Sequence, residues 1–260
     1  MSLADALAGD AVAQTRASFD YQWTRLPNGR YSLSDAAFRE RVPEWLCRMT
    51  GLDASWFPGK RVLDAGCGPG RHAFGFCALG ARLTVLDLST SGLRQARTAC
   101  EWFPQFTGGV AADLCRPLPF APAFDLVWSH GVLHHTGQTR QAFDHLTNLV
   151  APGGWLFVML YGEPRPDQLE DYRWWAWLET RRRRWRALSF DEKAARLRPG
   201  VDEGDLLATF DSVSPWINDR YTFDEVASWF RARGFGDVQR RADEMDHYVI
   251  GRRIAEAPAR

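Results

Sequence analysis

The chain has 260 residues, 45% of them hydrophobic and 25% charged, with 32 Lys and Arg against 32 Asp and Glu. That length and balance support one elaborated globular domain, or a domain with a small lid, and exclude a disordered chain, a coiled coil and a collagen-like repeat. A net charge of zero also excludes a global field that would draw nucleic acid or an anionic bilayer.

No stretch reaches the roughly 18 uninterrupted apolar residues of a membrane span. The N-terminus MSLADALAGDAVAQTRASFD carries acids where a signal peptide has basic residues. Cys47, Cys67, Cys77, Cys100 and Cys115 form no CxxC pair, so neither a disulfide framework nor a zinc knuckle is expected. A reducing cytoplasm is the natural setting, and a homodimer is left open.

In chain order, residues 1–59 read as a helical cap, with Ser34 or Asp35 starting a helix near Ala36–Met49. From Lys60 to Tyr161 (a core spanning 60–162) short apolar runs alternate with amphipathic stretches, the pattern of βαβ units on a parallel sheet. Strands are expected at 61–65, 81–88, 106–112, 124–129 and 155–161. Ser89 or Thr90 caps a helix through Cys100, and Pro152-Gly153-Gly154 is expected to turn the helix at 139–149 into the fifth strand. An insertion over 163–220 carries two helical patterns rich in Trp and Arg, joined by the linker RPGVDEG at 198–204. Residues 221–260 complete the core. There Thr222 caps a helix ending at Gly234, and strands at 236–241 and 247–253 pair as an antiparallel hairpin.

The strongest local signal is Val62-Leu63-Asp64-Ala65-Gly66-Cys67-Gly68-Pro69-Gly70. Glycines between a strand and a helix permit a tight turn and let a ligand approach main-chain N–H groups. GxGxG alone also fits an empty turn. Asp87, ending the second strand, is placed to take both hydroxyls of a ribose, which a nicotinamide-binding fold would also do. Asp64 stands before the glycines, where a carboxylate meets a cationic amine rather than a pyrophosphate. Gly70 falls one place too early for the dinucleotide fingerprint GxGxxG. Asp113, after the third strand, can accept from an exocyclic amine such as adenine N6. An amine, a ribose and an adenine without phosphate describe S-adenosylmethionine.

The runs VLDAGCGPGR, TVLDLS, AADLCRPLPFAPAFDLVWSHGVLHHT and LVAPGGWLFVMLY, in that order over about Gly59 to Tyr161, resemble the class I S-adenosylmethionine-dependent methyltransferases. The resemblance is strongest to the small-molecule branch that includes quinone-biosynthesis methylases. It implies an α/β, Rossmann-like, doubly wound, seven-stranded mixed sheet with a mainly helical lid insertion before the last hairpin. It further implies that Asp64 and the Gly66 backbone hold the methionine amine, with Cys67, Gly68 and Gly70 lining the loop. Asp87 would bind the ribose, Leu88 would pack on the adenine, and Asp113 and the Leu114 amide would take its edge. Ser129 would contact the methionine portion. Phe19-Asp20-Tyr21-Gln22-Trp23 resembles a segment that folds over the cofactor, which brings Tyr21 to it.

Methyl transfer from a sulfonium is an in-line displacement that positioning can accelerate, with a base needed only when the acceptor must lose a proton. The candidates lie in Ser129-His130-Gly131-Val132-Leu133-His134-His135-Thr136. His134 or His135 is the general base, unless they bond backbone locally. His130, Asp211, Trp216 and Tyr221 are the acceptor contacts. No metal is expected, since Asp144 is the only acid near His130, His134, His135 and His145. The expected activity is methyl transfer to a small molecule, an aromatic or amphipathic metabolite or a sugar. The alternatives are an RNA or protein methyltransferase, a silent cofactor-binding regulator and, more distantly, a nicotinamide oxidoreductase. In the insertion, Trp174, Trp175 and Trp177 with Arg181–Arg184 read as a lid packed on the core, the rival being a docking helix for lipid or nucleic acid.

Overall fold

The structure, a computed structural model, describes residues 3–27, 32–202 and 204–255. Residues 1–2 and 28–31 of the expected cap, Glu203 of the expected linker, and 256–260 lie outside them.

The expected sheet is present. Its strands are β1 (Arg61–Ala65), β2 (Arg82–Asp87), β3 (Phe106–Ala111), β4 (Phe124–His130), β5 (Val150–Leu160), β6 (Phe235–Arg240) and β7 (His247–Arg253), in the order β3-β2-β1-β4-β5-β7-β6. The first five run parallel, and β7 lies antiparallel between β5 and β6. The chain reverses direction across the sheet between β1 and β4. An open α/β sheet forms its crevice beyond the carboxyl ends of such a pair.

Successive residues of the central strands supply two cores. Val62, Leu126, Trp128 and Phe157 face one side, where α2 (Ala36–Thr50), α3 (Arg71–Ala78) and α4 (Thr90–Cys100) pack. Leu63, Val127, Leu156 and Val158 face the other, against α5 (Thr139–Thr147) and α9 (Phe223–Ala232). Trp128 stacks on Phe157 with ring centroids 3.8 Å apart, at the centre of the first core. Burial on both faces explains why β1 and β4 read as nearly continuous apolar runs.

Several helix ends follow their sequence signals. Asp35 caps α2 through the Ala37 amide, Ser89 caps α4 through the Gly92 amide, and Thr222 with Glu225 closes a capping box on α9. Two expectations need correction. The fifth strand begins at Val150, because Ala151–Gly154 bulge within it: Phe124 pairs with Val150 and Leu126 already with Trp155. Among its described residues the insertion holds three α-helices, α6 (Leu169–Arg184), α7 (Phe190–Leu197) and α8 (Leu206–Val213). The third escaped the periodicity because Leu206, Leu207, Phe210 and Val213 are buried and leave it little polar face.

These helices meet the end of α1 (Leu3–Arg25) in a third apolar cluster built from Leu26, Leu197, Leu206 and Phe210, with Tyr21, Trp177 and Trp185 against it. The Trp and Arg side chains of α6 thus pack mainly on one another and on their own layer. Trp174 stacks on Trp177, and the Arg181 guanidinium sits 3.6 Å from the Trp177 ring centroid. Arg182 is turned inward, paired with Glu179 and donating to the carbonyls of Ser212, Pro215 and Trp216. Among the described residues no helix is long and apolar enough to cross a membrane.

Candidate functional site

One cavity of about 1640 Å³ lies over the carboxyl ends of β1, β2, β4 and β5, roofed by α1 and flanked by α2, α6 and α8. Val12, Thr15, Arg16, Phe19, Gln22 and Trp23 line it, a spacing of three and four that places them on one face of α1.

At the sheet end the turn after β1 is built for close approach. Gly66 has φ +86°, and a Cβ there would lie 2.3 Å from Val132. The Asp87 carboxylate accepts from the Gly68 amide at 2.8 Å and from the Ser89 amide at 2.7 Å, so β2 and the loop orient it rigidly. Burial raises its pKa above the ordinary carboxylate value, and those amides pull it back down. α1 reaches the same place: Asp20 accepts from Ser89 and Ser91 Oγ, and Trp23 covers Gly68. Leu88, Asp113 and Leu114 continue the wall, with the Asp113 carboxylate accepting from the Cys115 amide.

Asp64 lies behind the loop, 1% exposed, with Oδ2 unpartnered among the described residues. Burial, and next the nearby Asp87 charge, push its carboxyl up to about 8, while Arg71 opposes them. A buried carboxylate with one oxygen left unpartnered suits a ligand that brings a cationic donor.

The far end of the cavity is aromatic. Trp45 stacks on His72 at 5.2 Å, His72 meets His130 edge-on at 4.7 Å, and His130 faces Tyr248 at 5.8 Å. Burial holds both imidazoles neutral, with His130 pushed down to about 3. Arg71, His135, Tyr161 and Asp211 close this end.

The structure thus brings together Gly66, Cys67, Gly68, Asp87, Leu88, Asp113, Leu114, His130, His135 and Asp211. Others fall elsewhere. Tyr21 turns out of the cavity, donating to Asp191 at 2.7 Å and stacking on Phe210, while Phe19, Gln22 and Trp23 face in. His134 is fully buried behind His135, its ring 3.9 Å from that of Tyr161. Ser129 is buried within β4, and Gly70 caps α3 against Ala96. Trp216 lies under Arg186, and Tyr221 packs on Trp229 in the α9 core. Both are therefore corrected as cavity contacts. Asp211 lies in the last turn of α8. Sequence reasoning missed Trp45, Arg71, His72, Tyr161 and Tyr248. Only Arg71 and His72, directly after the glycine loop, carried a positional signal.

Residues 63–158 match a family described as "Methyltransferase domain". Over 96 residues the chain is 43% identical to a malonyl-[acyl-carrier protein] O-methyltransferase of Pseudescherichia vulneris, a match covering 36% of each protein. Over 104 residues it is 38% identical to an uncharacterized methyltransferase of Mycobacterium bovis, covering 40% of this chain and 51% of that one. The chain thus spans only a third to a half of the length of these curated relatives. The fold extends further. Magnesium protoporphyrin IX methyltransferase from Synechocystis PCC 6803, solved with bound S-adenosylmethionine, superposes with a TM-score of 0.54 at 15% identity, over 92% of this chain and 97% of that one. A Burkholderia thailandensis 1,6-didemethyltoxoflavin-N1-methyltransferase gives 0.53 at 18% identity, over 96% and 88%. Residues 63–158 therefore resemble a methyltransferase domain, and the seven-stranded sheet that contains them has the class I S-adenosylmethionine-dependent methyltransferase fold.

Proposed function

We propose that the chain transfers a methyl group from S-adenosylmethionine to a small-molecule acceptor, an aromatic or amphipathic metabolite or a sugar. The observation that carries this reading is the buried Asp64 carboxylate beside the glycine turn, unpartnered at Oδ2 among the described residues. It matches the methionine amine and has no counterpart in a pyrophosphate site.

When bound, the cofactor supplies an electrophilic methyl on a positively charged sulfur. The chain's own residues do the rest. Asp64 offers charge to the amine, the Gly66–Gly68 backbone lets the ligand approach, and Asp87 presents a fixed carboxylate to the ribose. Leu88 packs against the base, and Asp113 accepts from its amine. The α1 face excludes water, which strengthens each of these interactions. The rings of Trp45, His72, His130 and Tyr248 give a flat acceptor surfaces to stack on. A cavity this size has room for cofactor and acceptor together. The span over 163–220 serves as a lid, supported by its separate apolar cluster.

Calorimetric titration tests the reading. S-adenosylmethionine and S-adenosylhomocysteine should bind, and NAD far more weakly; equal or tighter NAD binding would overturn it. Charge-assisted bonds to ribose hydroxyls are worth about 1.5–3 kcal/mol each. Asp87→Ala should therefore weaken S-adenosylhomocysteine binding about tenfold or more, with an unchanged circular dichroism spectrum.

A further inference from the structure

We infer that Asp211 and His135 form a proton-sharing pair at the acceptor end of the cavity, and that the group methylated there is a hydroxyl that gives its proton to Asp211. The inference deepens the methyltransferase reading and rests on it.

The geometry begins with His135 Nδ1, which lies 2.9 Å from the Ile217 carbonyl oxygen. A carbonyl can only accept, so Nδ1 carries the proton and the neutral ring presents a lone pair at Nε2. That lone pair faces Asp211 Oδ1 at 3.5 Å. Neither atom has a hydrogen-bond partner among the described residues, and both are buried. Two acceptors facing one another out of water repel unless a proton lies between them. The pair therefore holds one proton more than an isolated imidazole and carboxylate would.

Asp211 is the member that touches the acceptor. Its side chain is 24% exposed against 3% for His135, and both line the cavity. His135 is the positioning residue, fixed by Ile217 and by the edge of Phe19. The groups acting on Asp211 come from every side: Arg71 from α3, Gln22 from α1, Tyr161 from the end of β5 and Asp246 from the turn before β7. Arg182 of α6 and Arg220 act on His135. Burial dominates for both, lifting Asp211 to about 7 and lowering His135 to about 3. Below neutrality the shared proton thus resides on Asp211, and above it Asp211 is a free base.

A carboxylate acceptor is already ionised and has no use for such a base. A hydroxyl must lose its proton as it reacts. The acceptor oxygen forms its bond to the methyl carbon while the sulfur–methyl bond breaks, and the sulfonium sulfur keeps that electron pair and becomes a neutral thioether. The hydroxyl proton passes to the Asp211 carboxylate and leaves to solvent after the product does.

Three measurements test this. S-adenosylhomocysteine titration of wild type and Asp211→Asn comes first: absence of binding to either would refute the underlying reading rather than the pair. Next, 15N NMR of histidine-labelled, ligand-free protein should show His135 protonated at Nδ1, with its Nε2 shift changing around pH 7 and that change missing in Asp211→Asn. An Nε2 signal indifferent to both pH and substitution overturns the pair, whatever the acceptor is. Last, protein with methyl-labelled S-adenosylmethionine is given pooled phenols and alcohols or pooled carboxylic acids. Label should enter the hydroxyl pool, at a rate rising about tenfold per pH unit below 7 and level above it. Asp211→Asn should lower kcat about a hundredfold or more with little change in KM. His135→Gln should move the pH midpoint downward, since Nε2 no longer supports the protonated carboxyl. Label confined to carboxylic acids, or an Asp211→Asn enzyme with wild-type turnover on hydroxyls, overturns the inference.

Discussion

Asp64→Asn is expected to abolish cofactor binding and yet to stabilise the empty protein, more so at alkaline pH. The buried carboxyl, unpartnered at Oδ2, titrates at about 8 in the folded chain against 3.8 as a free group. A carboxyl raised in this way leaves stability intact below the unfolded value. Stability is then lost as pH climbs through the interval, because the unfolded chain releases the proton first. Asparagine cannot ionise. The melting temperature of the variant minus that of the wild type should therefore grow from about pH 4 to pH 8 and level off beyond. The histidines His130 and His135, held down to about 3, work in the opposite sense and weaken both proteins below about pH 6.5. They cancel in the difference. Binding runs the other way, since a cationic amine needs the ionised form. Wild-type affinity for S-adenosylhomocysteine should tighten as pH approaches 8, and the variant should lose about a hundredfold or more. Scanning calorimetry and titration at pH 5, 6.5 and 8 decide the matter. A pH-independent melting difference would mean that Asp64 is already ionised in the empty fold.

The second large effect is structural. Gly70→Ala should destabilise the fold by about 3 kcal/mol, against about 1 kcal/mol for Gly59→Ala. Both glycines have positive φ, +89° and +74°. At Gly59 a Cβ meets nothing within 4 Å, so only the backbone cost remains. At Gly70 it would lie 2.5 Å from Ala96 Cα and 2.8 Å from its Cβ, where the start of α3 rests on the middle of α4. Backbone cannot step aside, so the two helices must separate and the loop between β1 and α3 must follow. Urea unfolding of the pair measures the difference directly. Equal losses would show that the approach of α3 to α4 is not tight.

The parts legible in the sequence are those whose chemistry is local. β1, its glycines and Asp87 lie within a short run, and strand period, turn residues and cap residues all agree there. The acceptor end was opaque because its members are distant in sequence. Trp45 comes from α2, His72 from α3 and Tyr248 from β7, and only the crossing order of the strands brings them together. Adjacent residues could not be told apart for a different reason. His134 and His135 share one tight turn, and Tyr21 and Gln22 share one helix, so a rotation of about 100° decides which faces the ligand. The third helix of the insertion hid because burial removed the polar stripe that would have marked it.

The first helix has a bearing on timing. Through Asp20 it stands on Ser89 and Ser91, beside the carboxylate of Asp87, and through Trp23 it covers Gly68. Its middle is moored by Gln14 and Thr15 to the backbone of Ser214, Trp216 and Ile217. The floor of the cavity is thus beneath a helix anchored on one side by the apolar cluster it shares with α7 and α8 and held toward the glycine turn by a handful of polar links. Such links part and re-form far faster than a packed core unfolds. On the proposed function, the spent nucleoside would leave only when this helix lifts, and the residence time of the product, more than the speed of bond exchange, is expected to set the pace of each cycle.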